Sequence, residues 1–351
     1  MNTAIAGSVS GRRLSVAPML AWTDRFERRF LRLITRKSLL YTEMIAAQAL
    51  ARGRALWLLD HRPDERPLAV QLGGFEPELL AEAARLAEAS GIDEINLNVG
   101  CPSDRVNAGR FGACLMLDPP LVAACVSAMC RAVSVPVTVK HRIGVDDRTA
   151  YADLRDFVAR VADAGCRTFI VHARIARLKG LSPKQNREIP PLVPETVHRL
   201  KDDFPGLEIV INGGIRDLAT AMGHLAHLDG VMIGRAAYET PMILAEADSR
   251  IFGEATEPPT LEEIVAGLAD LAGETAAEGE PLHRLTRHVL GLFHGRAGAR
   301  IWRRIVGEEA RRDRWQGSRA PDLIRLARAR VADAEAAHPP KNRGQTATNP
   351  P

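Results

Sequence analysis

Aromatic residues are scarce in this chain, 5% of 351 positions. No stretch approaches the ~18 uninterrupted apolar residues of a membrane span. The longest candidate, residues 121–130, reads as the buried face of a helix, so no membrane partner is expected. The opening MNTAIAGSVSGRR lacks the continuous apolar stretch of a secretory signal. Cysteine is also rare: five residues, an odd number, with no CxxC pair. That usage excludes a disulfide framework and offers no zinc or iron–sulfur spacing, which fits a reducing, cytoplasmic setting and no metal. Four of the cysteines, Cys114 included, lie in apolar contexts where a thiol packs as a small hydrophobe. Cys101 does not.

What is abundant is aliphatic. Apolar residues make up 46% and charged residues 26%, enough for a sizeable core. The length suits one large α/β barrel plus a small appended domain, or two ordinary domains. A net charge of +4 is uninformative, but its distribution is not. Residues 281–330 hold thirteen arginines against four acids, 13 − 4 = +9, leaving 4 − 9 = −5 for the rest. Such asymmetry points to an anionic partner for this region; the ordinary alternative is a solvated arginine-rich helix pair.

Short β-branched runs alternate with helical patterns from residue 14 to about 240. Strands are expected at 14–17, 39–42, 68–71, 94–98, 137–140, 168–172, 208–211 and 230–233. The spacers are long enough for crossover helices, and residues 78–90 and 154–164 carry apolar positions at helical spacing. Eight such units in this length predict a (β/α)8 TIM barrel, over residues 12–250. An open doubly wound sheet is the alternative, but no GxGxxG follows the first strand. Beyond residue 257 the strand signal stops. Thr260 and Glu263 form a capping-box pattern, and helical periodicity then predicts a small helical domain over 258–337. Residues 338–351 have no apolar periodicity and are expected to be disordered.

Barrel chemistry occurs at the carboxyl ends of strands. Five consecutive ends here are polar or glycine-rich: NLNVGCP, VTVKHR, FIVHAR, VINGGI and VMIGRA. Together they point to a bound cofactor. Asn212-Gly213-Gly214 and Gly234-Arg235 follow strands 7 and 8, the usual phosphate position of this fold; turn glycines alone are the plainer reading, but Arg235 adds a charge that a turn does not need. Lys140 closes an apolar strand and needs an anion or electron-rich ring edge opposite it. His172 taken alone reads as a satisfied core residue, and Gln71 has donor and acceptor ends suited to a pyrimidine edge. Cys101 lies in a long glycine-containing loop, VGCPSDRVNAGRFGACLM, where Pro102 stops the strand. No partner base is evident in the sequence, and a free thiol can donate a proton, so a general-acid role is preferred.

The segments CPSDRVNAGRFGACLM, VKHRIG, VHARIARLKGLSPKQNREIPP, INGGI and DGVMIGRAAY resemble the tRNA-dihydrouridine synthases, specifically the A-type subfamily. The likeness runs from about Ala17 to Tyr238, with further agreement near Arg300 and Arg303. It implies an FMN-containing TIM barrel followed by a helical tRNA-binding domain. NADPH is the implied reductant, and uridines 20 and 20a of the D-loop are the implied targets. Reduced FMN delivers hydride to carbon-6, and Cys101 protonates carbon-5. By the same likeness Pro18, Met19, Leu20, Gln71, Lys140, His172, Asn212, Gly213, Gly214, Gly234 and Arg235 hold FMN. Asn98, Lys184, Arg187, Arg300 and Arg303 match tRNA contacts, and no stable protein partner is implied. One departure stands out: the chain reads APMLAWTD where the family usually has Ala-Pro-Met-Met-Asp-Trp-Thr-Asp, so Ala21 lacks a carboxylate. Two competing readings are another FMN barrel oxidoreductase acting on a small molecule, and a catalytically silent RNA-binding barrel.

Overall fold

Every expected strand forms, and all pair in parallel. They are β1 (Leu14–Val16), β2 (Leu40–Ala46), β3 (Leu68–Gly73), β4 (Glu94–Val99), β5 (Val137–Arg142), β6 (Thr168–His172), β7 (Glu208–Asn212) and β8 (Gly230–Ile233). The structure, a computed structural model, describes residues 10–53, 55–103 and 109–337. The tail expected to be disordered, 338–351, lies outside the described residues. Sheet order is β1-β8-β7-β6-β5-β4-β3-β2. A parallel bridge between Ser15 and Leu39 joins the two ends, and the Val16 N–H donates to the Leu39 carbonyl at 3.0 Å. The result is a closed (β/α)8 barrel.

Helices fill the crossovers. Pro77–Ala89 buries Leu80, Ala83, Ala84 and Ala87, and Tyr151–Asp163 buries Leu154, Phe157, Val158 and Val161. Residues 121–130 fall inside helix Pro119–Ala132, with Val122, Cys125, Val126 and Met129 buried as expected of a helix face.

The period-2 alternation of strands decides what enters the barrel. On β5, Val137, Val139 and His141 alternate with Thr138, Lys140 and Arg142. His141 faces outward, its ring centroid 5.0 Å from that of Phe157 on a crossover helix. Lys140 faces inward: its Nζ donates to Asn212 Oδ1 at 3.0 Å, and β5 and β7 are not neighbours in the sheet. On β4 the same alternation puts Glu94, Asn96 and Asn98 inside at three successive levels. The apolar part of the interior is a cluster of Ala17, Leu39, Tyr41, Ala69, Ile170, Val210 and Met232.

The chain divides into two compact units between Pro258 and Pro259. In the second unit, Thr260 caps helix Leu261–Ala277 through a full capping box with Glu263. Helices Ala299–Glu308 and Ala320–Ala337 enclose a core containing Phe293, Trp302, Leu323, Ile324 and Val331. Trp302 Nε1 donates to the Val289 carbonyl at 2.8 Å, which satisfies its only polar atom. Gly298, at φ 78°, lets the helix start approach Val331, whose Cα would sit 3.1 Å from an added Cβ.

Candidate active site

The thiol residue is fixed by its own backbone. Asn98 Oδ1 accepts from the N–H groups of Gly100 and Cys101, at 3.1 and 3.0 Å. The Cys101 carbonyl accepts from Ala113 N–H at 2.9 Å, so both peptide groups of Cys101 are held just beyond β4. Its Sγ lies 3.5 Å from Ser103 Oγ and is partly buried. Residues 104–108 of this loop lie outside the described residues. Cys114 donates to the Phe111 carbonyl at 3.2 Å, and burial pushes its thiol upward, as suits a packed side chain.

Facing this loop are β5, β6 and β7. Burial, helped by the nearby charge of Arg142, lowers the Lys140 ammonium to about 7. Asn212 orients that ammonium; its own Nδ2 donates to the Met232 carbonyl at 2.8 Å. His172 ends β6 and is held well below its ordinary value by burial and by Arg142, Lys140, Arg174 and Arg187, so its ring is neutral. Gly213 and Gly214 follow Asn212 with φ of 107° and 75°. A Cβ on Gly213 would meet His172 Cδ2 at 2.6 Å, and one on Gly214 would meet Leu192 Cδ2 at 2.3 Å. Glycine is required there, by conformation and by space. Beside Gly234 the nearest atom is Ala17 Cβ at 3.8 Å, which leaves the backbone there open.

The mouth is strongly cationic. Arg142 is buried, donating from Nε to the Gly100 carbonyl at 3.2 Å and from Nη1 to the carbonyls of Ile175 and Asn186 at 3.2 and 3.1 Å. Among the described residues neither Lys140 nor Arg142 has a carboxylate partner. Arg187 is exposed and feels both Arg235 and Cys101, while Lys184 is exposed nearby in the chain. Asn186 between them is buried and bonds Arg177 and Leu181, shaping the loop that presents these two cations. Uncompensated buried charge costs several kcal/mol, and it persists where an anionic ligand or a developing negative charge repays it.

The structure therefore brings Lys140, His172, Asn212, Gly213 and Gly214 together, and it links Cys101 through Asn98 to Gln71. Other sequence-derived residues behave differently. Met19 packs on the interior cluster, Pro18 is partly buried, and Leu20 is 69% exposed. Gln71 and Asn98 are buried with their amides bonded to each other, Asn98 Nδ2 donating to Gln71 Oε1 at 2.7 Å. Arg235 pairs with Glu188 at 2.7 Å. Ala21 sits at φ 63°, a conformation that Asp or Asn tolerates better than Ala, and Glu43 accepts its N–H. A carboxylate thus touches this turn, contributed by β2. Sequence reasoning missed Arg142, Glu43, Asn96 and Thr138. The alternation in EINLNV and VTVKHR was the available signal, because it lines up Glu94-Asn96-Asn98 and Thr138-Lys140-Arg142 on one face.

In the second unit, Arg300, Arg303 and Arg304 lie on the exposed face of helix Ala299–Glu308, opposite buried Trp302, Ile305 and Val306. None of the three has an ion-pair partner among the described residues, whereas Arg284, Arg325 and Arg328 pair with Glu280, Asp322 and Glu262.

A barrel with a thiol, an amine of lowered basicity and a glycine cradle at its carboxyl face defines an enzyme site, of a kind suited to an anionic cofactor and proton delivery. The family model for dihydrouridine synthase (Dus) matches residues 15–323. A tRNA-dihydrouridine(20/20a) synthase of Synechocystis is 52% identical over 325 residues, covering 93% of this chain and 96% of that protein. Proteins of the same name from Pseudomonas putida and Escherichia coli O6:H1 are 54% and 53% identical, covering 85% of this chain and 89% and 90% of their own lengths. The chain belongs to the dihydrouridine synthase family.

Proposed function

We propose that this enzyme reduces uridine to 5,6-dihydrouridine at positions 20 and 20a of the tRNA D-loop, using FMN and NADPH in the cytoplasm. Its relatives carry that name at 52–54% identity over most of both chains. No helix among the described residues is long and apolar enough to cross a membrane.

The residues present fit FMN. Lys140 is a cation without a carboxylate partner among the described residues, beside a neutral His172, and it requires an electron-rich partner. Gly214 is exposed and Gly213 and Gly234 are half-buried just beyond β7 and β8, and Arg235 follows Gly234, which suits a phosphate. We assign Lys140, His172, Asn212 and Gln71 to the ring and Gly213, Gly214, Gly234 and Arg235 to the phosphate, with Pro18, Met19 and Leu20 along the β1 loop. When bound and reduced by NADPH, FMN supplies a hydride to carbon-6 of uracil.

Cys101 supplies the other hydrogen, passing its Sγ proton to carbon-5. Asn98 holds the Cys101 backbone in place for that transfer. A uridine inside folded tRNA has to leave its stack to reach this depth. The exposed cations Lys184 and Arg187 on the rim, with Arg300 and Arg303 on the second unit, are assigned to the RNA backbone. The observation that carries the reading is Cys101, pinned at both peptide groups at the end of β4.

The test supplies purified protein and NADPH with unmodified tRNA or with free uridine, and maps products by mass spectrometry. Dihydrouridine is expected at positions 20 and 20a of tRNA. Turnover of free uridine alone would instead support the small-molecule oxidoreductase reading.

A further inference from the structure

The barrel interior contains a chain of side-chain hydrogen bonds whose direction can be read from its ends. It starts at the thiol loop, where the donors are backbone N–H groups and admit no ambiguity. Asn98 accepts both with Oδ1, so its other terminus is the amide nitrogen. That nitrogen donates to Gln71 Oε1 at 2.7 Å, which leaves Gln71 Nε2 to donate to Asn96 Oδ1 at 2.8 Å. Asn96 Nδ2 then donates to Thr138 Oγ1 at 2.9 Å, and the Thr138 hydroxyl donates to Glu94 Oε1 at 2.7 Å. Glu94 is fully buried and ion-paired to Arg12 at 2.8 Å; as a carboxylate it can only accept. Both ends impose the same polarity, and every amide between them has one orientation.

Register explains why the chain is continuous. Gln71 pairs with Asn96 between β3 and β4, and Asn96 pairs with Thr138 between β4 and β5. Glu94 and Asn98 lie two residues either side of Asn96 on the same inward face. The relay therefore climbs from the start of β4 to the residue that holds Cys101. Buried polar networks with every member satisfied rigidify and specify one arrangement, whereas a single break leaves an unpaired group in a dry interior.

We infer that Glu94, Thr138 and Asn96, which touch neither the thiol nor its loop, are positioning residues for Cys101, acting through Gln71 and Asn98. This rests on the assignment of Cys101 as the acid. Reversing the run of amides would present Asn98 Nδ2 to the two N–H groups, donor against donor, and release the loop. Catalytic geometry tolerates little of this, since a displacement of about 1 Å can cost roughly 100-fold in rate.

Thr138→Val tests the relay, because it keeps the shape and deletes only the hydroxyl; Thr138→Ser keeps the hydroxyl. Two quantities are read on the flavin-loaded protein: the iodoacetamide alkylation rate of Cys101, followed by peptide mass spectrometry, and kcat with saturating tRNA. Thr138→Val is expected to alkylate at least roughly threefold faster as the loop loosens. Its kcat should fall by about tenfold or more, with the tRNA Kd within about twofold. Thr138→Ser should restore both. Parent-like alkylation in Thr138→Val, or a kcat loss that Thr138→Ser does not repair, overturns the relay. Thr138→Ala serves in its place should Thr138→Val not fold. Full tRNA reduction by Cys101→Ala would sink the acid assignment instead, and leaves the alkylation comparison intact as a separate readout.

Discussion

The two ends of the barrel treat buried charge in opposite ways. At the start of the strands, Arg12 is ion-paired to Glu94 and to Glu208, and Glu94 also accepts from Tyr41 and Thr138. At the carboxyl ends, Lys140 and Arg142 have no carboxylate among the described residues, and burial lowers them to about 7 and about 10. The same strand can serve both ends: β4 begins with a paired glutamate and finishes with the amide that holds the thiol loop. A floor whose charges are matched within the protein serves stability. A mouth whose charges are not matched is completed by what binds there.

The largest expected effect breaks the mouth. Cys101→Ala should retain flavin reduction by NADPH yet lose dihydrouridine formation by roughly 100- to 10,000-fold, since only proton delivery is removed. Stopped-flow flavin absorbance and single-turnover tRNA assays separate the two halves; full tRNA reduction in this variant would remove Cys101 from the mechanism. Next comes the floor. Glu94→Gln removes one of the two carboxylates on Arg12 and the charged acceptor of Tyr41 and Thr138, and should cost roughly 1–3 kcal/mol in urea unfolding, Glu208 remaining paired to Arg12. At the mouth, Lys140→Met should leave the unfolding free energy of the flavin-free protein within about 1 kcal/mol of the parent, because a lost hydrogen bond is offset by removal of an unmatched charge, while flavin retention falls. Equal losses at both ends would erase the contrast.

The sign of the pH dependence follows from the same amine. Lys140 is depressed to about 7 in the fold from its ordinary value of 10.5, so between these values the unfolded chain binds more protons. Its penalty is fully present below about pH 7 and is relieved as pH rises towards the unfolded value. Thermal melts of flavin-free protein should therefore show the parent gaining stability relative to Lys140→Met across that window. A flat difference would place the ammonium in a wetter setting. The smallest effect lies in the second unit: Arg300→Ala and Arg303→Ala should each weaken tRNA binding and lower the salt slope by about one, with flavin content unchanged. A salt slope identical to the parent's would mean that these arginines meet no phosphate.

Much of this was legible in the chain. Eight β-branched runs placed the strands, and the capping box at Thr260 and Glu263 marked the first helix of the second unit. The polar strand ends marked the mouth. Strand lengths were less legible: β5 runs to Arg142 where the apolar signal stopped at Lys140, because a strand buried on both faces can carry charge on its inner one. The inward face was missed for the same reason. Asn98, matched to tRNA contacts by resemblance, also brackets the thiol loop from a buried position, and the side chain of Arg142, which no local pattern marks, joins three loop carbonyls.

By itself the sequence determined the fold class and the family, since these depend on periodicity and on motifs written along the chain. Only the tertiary structure decided which side chains share the barrel interior, because Lys140 meets Asn212, and Asn98 meets Gln71, across separations that no local pattern records. Closure of the sheet also decided their chemistry: excluding water from the interior is what makes Lys140 a weaker base and keeps His172 neutral.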